Sequence, residues 1–337
     1  MERGERLPEL DLLRAVALVA VALIHASAWV APAEAPPNAS LAAAISSLAR
    51  FCVPAFVFAS GFALQRSSAG RAMDRGAFLG KRVRRILLPW AACVPLFLWV
   101  DSRAGPVGTL WQWLAFGPGH LYFLLLTAQL SVVFVFMPRD ARRLRWFALA
   151  AVAVQLGLSA WRTYAALPAS GWLAWAAVYL THEEAPFWIG TFALGALLGS
   201  AWDRLAGLAH WWPLWVALAF AAGAVVLLEG RLVPAGALRE GNGAYAWPSR
   251  LPQAVVWSLA LLWAGRLLRG AASSAVVQQL SRHSLGIYLL HPLALTVLGP
   301  ATVALPPAMR VPLLMAAALS AGWALTAALG RLGFAGL

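Results

Sequence analysis

Ten predominantly apolar stretches, most of them close to 20 residues long and joined by short arginine-bearing connections, leave this chain few folds to adopt. They fall at about 10–30, 48–66, 86–101, 119–137, 146–161, 185–202, 211–229, 252–268, 283–303 and 310–330. A helix needs about 20 mostly apolar residues to cross a hydrocarbon layer ~30 Å thick. The pattern therefore predicts an all-α, polytopic transmembrane bundle of about ten spans. The stretch from Arg162 to Pro186 is the least regular, and Trp172–Leu180 within it reads as a re-entrant or interfacial piece. Neither an internal repeat nor a polar stretch long enough to fold separately is visible, so residues 1–337 read as a single transmembrane domain.

Composition points the same way. Of 337 residues, 61% are hydrophobic and 12% charged, where soluble domains carry roughly 45–50% and ~25%. A net charge of +13 would suit nucleic acid, but the basic residues sit in connections between apolar stretches and form no groove-lining pattern. With the N-terminus placed in the cytoplasm, 19 of the 26 basic residues fall on the cytoplasmic side. That is the bias of the positive-inside rule, and it predicts two cytoplasmic termini. The first stretch carries Asp11 and Arg14 with no clean small-residue cleavage site after it, so it reads as a retained span and not a signal peptide. Cys52 and Cys93 both lie in apolar stretches and make no disulfide framework. Tryptophans at 111, 113, 211 and 212 fit an aromatic belt at span ends. One Lys against 25 Arg hints at a GC-rich bacterial genome, and with it at a bacterial inner (cytoplasmic) membrane.

Arg6 to Trp29, RLPELDLLRAVALVAVALIHASAW, puts a histidine inside an apolar helix whose start carries a carboxylate and an arginine. An ionisable group at membrane depth is a functional hypothesis by default. At about 100° per residue Asp11, Arg14 and His25 fall within roughly 60° of one another, with His25 ~16 Å along the axis from Arg14. Neutral imidazole can take a proton from a reacting group near pH 7. A histidine can equally act as a nucleophile and carry a transferred group itself.

A second feature is Phe78–Pro89, FLGKRVRRILLP, where Lys81, Arg82, Arg84 and Arg85 are four cations in five residues. Arg82 and Arg85 stand at i,i+3 and share a helix face. Guanidinium groups presented together make bidentate, charge-assisted bonds to phosphate oxygens. A topology-setting loop against anionic head groups explains the same run.

Taken in order, LDLLRAVALVAVALIH, VPAFVFASGF (53–62), KRVRRILLP, GHLYFLLL (119–126) and SLGIYLLHP (284–292) resemble the acyltransferase 3 family of membrane-bound acyltransferases. The resemblance covers nearly the whole chain. Its most specific parts are the LD-x-LR…H pattern of the first span and R-x-x-R-I-x-x-P. It departs at Tyr122, where the family more often has Trp, and the hydrolase-like domain that some members append is not expected after the last span. The resemblance implies transfer of an acyl group, commonly acetyl, from cytoplasmic acyl-CoA (acetyl-CoA as co-substrate) to a hydroxyl or amine of a glycan, lipid or small molecule. It implies His25 as the catalytic histidine, Arg14 with Asp11 in the same motif, and Arg82 and Arg85, with Arg84 and Lys81 beside them, near the donor's phosphates.

Weaker candidates surround these. Ser60 and Gly61 suit close helix packing better than catalysis. His120 and Tyr122 open the fourth span and divide evenly between acceptor site and aromatic belt. His182, Glu183 and Glu184 form a polar patch suited to a solvated loop or to acceptor binding; adjacent residues do not share a helix face, so no metal is expected. Tyr288 and His291 at i,i+3 face the bundle interior. The stretch Glu229–Leu251 reads as an external loop or lid. The sequence admits one function from another class, a proton-coupled secondary transporter of a glycan or amphiphile using His25 as relay. Neither reading involves nucleic acid, and both place membrane lipids around the chain.

Overall fold

The computed structural model describes residues 7–30, 41–70, 72–102, 119–165, 171, 183–233 and 241–331. The Trp172–Leu180 piece, His182, Trp111 and Trp113 lie outside the described residues. Among the described residues every regular element is helical. In chain order they are α1 Pro8–Ala28, α2 Leu41–Ala49, α3 Cys52–Ser68, α4 Arg75–Arg82, α5 Leu88–Ser102, α6 Tyr122–Phe136, α7 Ala141–Tyr164 and α8 Ile189–Ala201. They continue as α9 Trp212–Leu232, α10 Arg250–Leu267, α11 Arg269–Ala272, α12 Ala275–Arg282, α13 Ser284–Ala301 and α14 Pro307–Arg331.

Each of the ten predicted stretches is occupied by helix, and eight of the helical segments are long and apolar enough to cross a membrane. The other two are α8, an apolar helix of 13 residues, and α10, whose 18 residues include Arg250, Gln253 and Arg266. The predicted second span is broken in two, with Arg50 and Phe51 in the turn between α2 and α3.

The first helix is the hub of the bundle. It packs against α2, α3 and every helix from α10 to α14, and two acidic groups in its first turns fasten it there. Glu9 accepts from the Trp202 indole N–H at 3.2 Å and faces Arg266 at 3.7 Å. Asp11 accepts from the Ser281 hydroxyl at 2.5 Å. Both carboxylates are buried, at the helix end where the macrodipole favours negative charge.

Between α3 and α8 the backbones touch. A Cβ added at Gly61 would lie 2.1 Å from Phe192 O, and one at Gly195 would lie 2.1 Å from Phe58 O. In lipid, where apolar burial drives little association, such close approach through small residues is what holds helices together. At the periphery the balance reverses. Only 11% of the most apolar window of Gly207–Leu232 is buried, against 67% for α1. Exposed side chains such as Phe220, Leu232 and Val297 give an exterior suited to acyl chains and not to water.

Candidate active site

Among the described residues, a cavity lies beside each end of α1. The larger, about 280 Å³, is lined by Arg14, Arg82, Arg85, Ser60, Thr127 and Tyr288 among others. A recess of about 120 Å³ shares Arg14, Arg82, Ser60 and Thr127 with it and runs towards Phe192. Three guanidinium groups thus converge from α1, α4 and the segment after it. The hydroxyls of Ser60 and Thr127 donate to Phe56 O at 2.8 Å and Phe123 O at 2.7 Å. Their protons are committed to their own helices, so they present lone pairs and not nucleophiles. Gly61, by contrast, is the packing residue of that pair.

The arginines owe their placement to an irregularity in the chain. Residues Val83–Leu87 form a π turn, closed by the Leu88 N–H on Val83 O. Pro89 has no N–H to offer the carbonyl four residues earlier, that of Arg85, and its ring crowds it. The α ladder cannot continue through this point, and the wider turn, a feature common at functional sites, lets Arg82 and Arg85 share one cavity. Arg82 also lies over the Phe78 ring at 5.1 Å. Lys81 and Arg84 are exposed and line neither cavity.

The second cavity, about 120 Å³, is lined by His25, His120, Cys52, Tyr122, Tyr245 and Tyr288 with apolar neighbours. Its histidines form a cluster with His291: the His25 ring centroid lies 4.9 Å from that of His291 and 6.3 Å from that of His120. Local chain chemistry explains each position. Gly119 adopts φ +49°, a left-handed conformation that glycine takes without strain. That bend delivers His120 to α13, where its Nε2 meets Leu289 O at 3.2 Å while the Tyr288 hydroxyl donates to His120 O at 2.7 Å. On α13, Pro292 cannot donate to Tyr288 O, and His291 Nδ1 fills the gap at 2.8 Å. A carbonyl only accepts, so Nδ1 carries the proton and Nε2 is the bare nitrogen. That nitrogen is buried with no hydrogen-bond partner among the described residues.

Arg14 and His25 therefore open into different cavities from one face of α1. Asp11, 60° round the helix from Arg14 by ideal geometry, is held by Ser281 and lines neither cavity. His120 and Tyr122 line the histidine cavity. Tyr288 and His291 are buried, as the sequence reading has them. Glu183 stands near Tyr122; burial first, then the neighbouring Glu184, hold its carboxyl up at about 7. Among the described residues no group of three or more His, Cys, Asp or Glu side chains is arranged to hold a metal ion.

Sequence reading missed Cys52 and Tyr245. The Cys52 thiol lies 4.0 Å from the Tyr245 hydroxyl, 193 positions further along the chain, and no spacing announces such a pair. Tyr245 belongs to the segment read as an external loop, whose described second half is folded inward. Ala244, Tyr245, Ala246 and Trp247 are buried. Arg250 stitches the segment down by donating to Ala244 O at 3.0 Å and Ser47 O at 2.8 Å. Glu229 accepts from Ser249 N at 3.0 Å and from the Tyr164 hydroxyl.

Tyr288 lines both cavities, so its ring is a wall that the arginine chamber and the histidine chamber share. A search of curated proteins found no match to this chain. A family model described as an acyltransferase domain, acyltransferase 3, matches residues 7–327. The match runs from the first turn of α1 to the last helix and includes every residue of both cavities. The chain belongs to the acyltransferase 3 family and is an integral membrane acyltransferase.

Proposed function

We propose that this acyltransferase takes its acyl group, acetyl in the first instance, from acyl-CoA at the cytoplasmic face and passes it to a hydroxyl of a glycan or other small envelope acceptor entering from the opposite face. The observation that carries the proposal is the shared wall at Tyr288, which lets a donor held by arginines and an acceptor held near His25 meet without either crossing the bundle. Arg82 and Arg85, with Arg14 deeper in, supply fork-shaped donors suited to the phosphates of coenzyme A. The thioester arm then extends along α1 towards Tyr288.

His25 takes the proton from the acceptor hydroxyl as that oxygen attacks the thioester carbonyl. The C–S bond breaks, the thiolate leaves with the proton returned by the imidazolium, and ester and free coenzyme A are the products. His120 and His291, tied to backbone carbonyls, keep their tautomers fixed beside it, so the site needs little rearrangement as charge develops. The positive-inside bias supports the orientation, with the arginine chamber towards the cytoplasm.

The test is transfer of labelled acetyl from acetyl-CoA by full-length protein in nanodiscs, with cell-envelope glycans as acceptor. His25→Ala should lower the rate by about 10²–10⁴-fold, the usual contribution of a positioned base. Arg82→Ala and Arg85→Ala should instead raise the donor KM, by about ten- to a hundredfold for a lost charge-assisted contact worth roughly 1.5–3 kcal/mol. Unimpaired transfer by a correctly inserted His25→Ala protein would refute the proposal.

A further inference from the structure

Three hydroxyls line the arginine chamber and its recess, and each is turned into an acceptor by its own helix. Ser60 and Thr127 line both spaces, and Ser131 lines the recess. Ser60 donates to Phe56 O at 2.8 Å, Thr127 to Phe123 O at 2.7 Å and Ser131 to Thr127 O at 2.8 Å. A hydroxyl has one proton and two lone pairs, so with the proton spent on a carbonyl four residues back it can only accept. The guanidinium groups of Arg14, Arg82 and Arg85 in the same chamber can only donate. Polar groups at membrane depth mark ligand paths, and this path changes character along its length. On α6, Tyr122 lines the histidine cavity, Phe123 the arginine chamber, Thr127 that chamber and the recess, and Ser131 the recess. On α3 the same course runs from Cys52 in the histidine cavity to Phe56 and Ser60 in the arginine chamber. The Phe123 ring lies 6.1 Å from that of Phe56 and 5.2 Å from that of Tyr288. Ser60 and Thr127, each bonded to the backbone of one of these phenylalanines, therefore stand one helical turn short of the Tyr288 wall.

We propose that Ser60 and Thr127, with Ser131 one turn behind, form an amide-recognising subsite for the arm of the acyl donor and accept hydrogen bonds from its N–H groups. The inference rests on the acyl-CoA reading above and names the part of that donor the chamber grips. An anionic oxygen set against these hydroxyls would meet lone pair with lone pair. The phosphates therefore stop at the arginines, and whatever lies between Ser60 and Thr127 brings N–H or O–H groups of its own. The pantetheine arm of coenzyme A carries two secondary amides, whose nitrogens are four bonds and about 5 Å apart when extended. Thr127 and Ser131 are about one turn apart, ~6 Å along α6, so the two rungs match the two amides. In a chamber otherwise walled by Phe56, Ile86, Phe123, Leu124 and Leu285, an amide N–H without an acceptor costs free energy, and these hydroxyls supply the acceptors.

The test measures binding to full-length protein in phosphatidylcholine nanodiscs by isothermal titration calorimetry. The probes are coenzyme A and an analogue whose two arm amides are esters, so that each N–H becomes an oxygen. Coenzyme A should bind more tightly than the analogue by about two- to tenfold for each hydrogen bond the subsite makes. Ser60→Ala and Thr127→Val should each weaken coenzyme A by about two- to tenfold and leave the affinity of the analogue unchanged, while Thr127→Ser should bind coenzyme A like the wild type. Both hydroxyls lie in mid-helix, where the freed carbonyl keeps its main-chain partner, so these variants retain their helices. Equal affinity of the wild type for the two ligands, an equal loss for both in the variants, or no loss for either would overturn the subsite and leave the donor reading standing. Failure of coenzyme A to bind at all would overturn both. A loss confined to coenzyme A, in a protein that transfers no labelled acetyl from acetyl-CoA, would uphold the subsite and count against acyl transfer alone.

Discussion

Replacing Gly195 with alanine puts one methyl group where the backbone of another helix already is. Its Cβ would stand 2.1 Å from Phe58 O, 2.8 Å from Phe58 C and 3.0 Å from Phe58 Cα. All three are main-chain atoms of α3, so no side-chain rotation relieves the overlap. Bringing the first contact from 2.1 to 3.0 Å means parting the two backbones by about 0.9 Å, and the neighbours that would lose contact, Phe58, Phe62 and Phe192, are fully buried. Overpacking of this kind costs about 1–3 kcal/mol, and a middle value of ~2 kcal/mol is roughly a thirtyfold fall in the folded-to-unfolded ratio. Gly157 is the internal control, because a Cβ there meets nothing within 4 Å. Gly157→Ala should be neutral or stabilising by up to about 1 kcal/mol through helix propensity. Denaturant unfolding in bicelles reads both variants. Gly195→Ala should also raise the donor KM, since Val57, Ser60 and Phe192 line the recess with Arg14 and Arg82. Equal stability of the two variants would refute the backbone contact between α3 and α8.

Two other perturbations reach different parts of the molecule. Pro89→Ala restores an N–H for Arg85 O and should let the π turn close into α-helix, swinging Arg82 and Arg85 apart; the expected outcome is a higher donor KM with kcat little changed, and unchanged kinetics would show that the proline does not set the arginines. Glu183, held up at about 7 from an ordinary value near 4.5, binds its proton more tightly in the folded chain than in the unfolded one. Its contribution to stability is therefore present below about pH 4.5 and declines as pH rises towards 7. In Glu183→Gln, thermal unfolding should lose that slope, and an unaltered slope would place the titration elsewhere.

Much of this molecule was legible from the apolar runs, because length and hydropathy alone dictate helices in lipid. His25 and the Arg82–Arg85 pair were legible for a related reason, since charge in such a setting needs an explanation. What escaped the sequence depends on distant segments meeting. Ser281 lies 270 residues beyond Asp11, so the carboxylate that shares a motif with Arg14 gave no sign that it is a fastening for α1. Glycines and polar residues around 241–249 look like solvated turn chemistry, yet Arg250 and Glu229 draw that segment inward and place Tyr245 beside Cys52. The α3–α8 contact had a visible cue in Gly195 and Gly199 at i,i+4, a spacing that lets helix backbones approach.

A ring shared by two chambers has a consequence for how variants are read. Tyr288, clipped to His120 O by its own hydroxyl, belongs to the lining of a chamber rich in cations and to that of one rich in titratable rings. A substitution there alters both chambers at once, so its phenotype reports on neither in isolation.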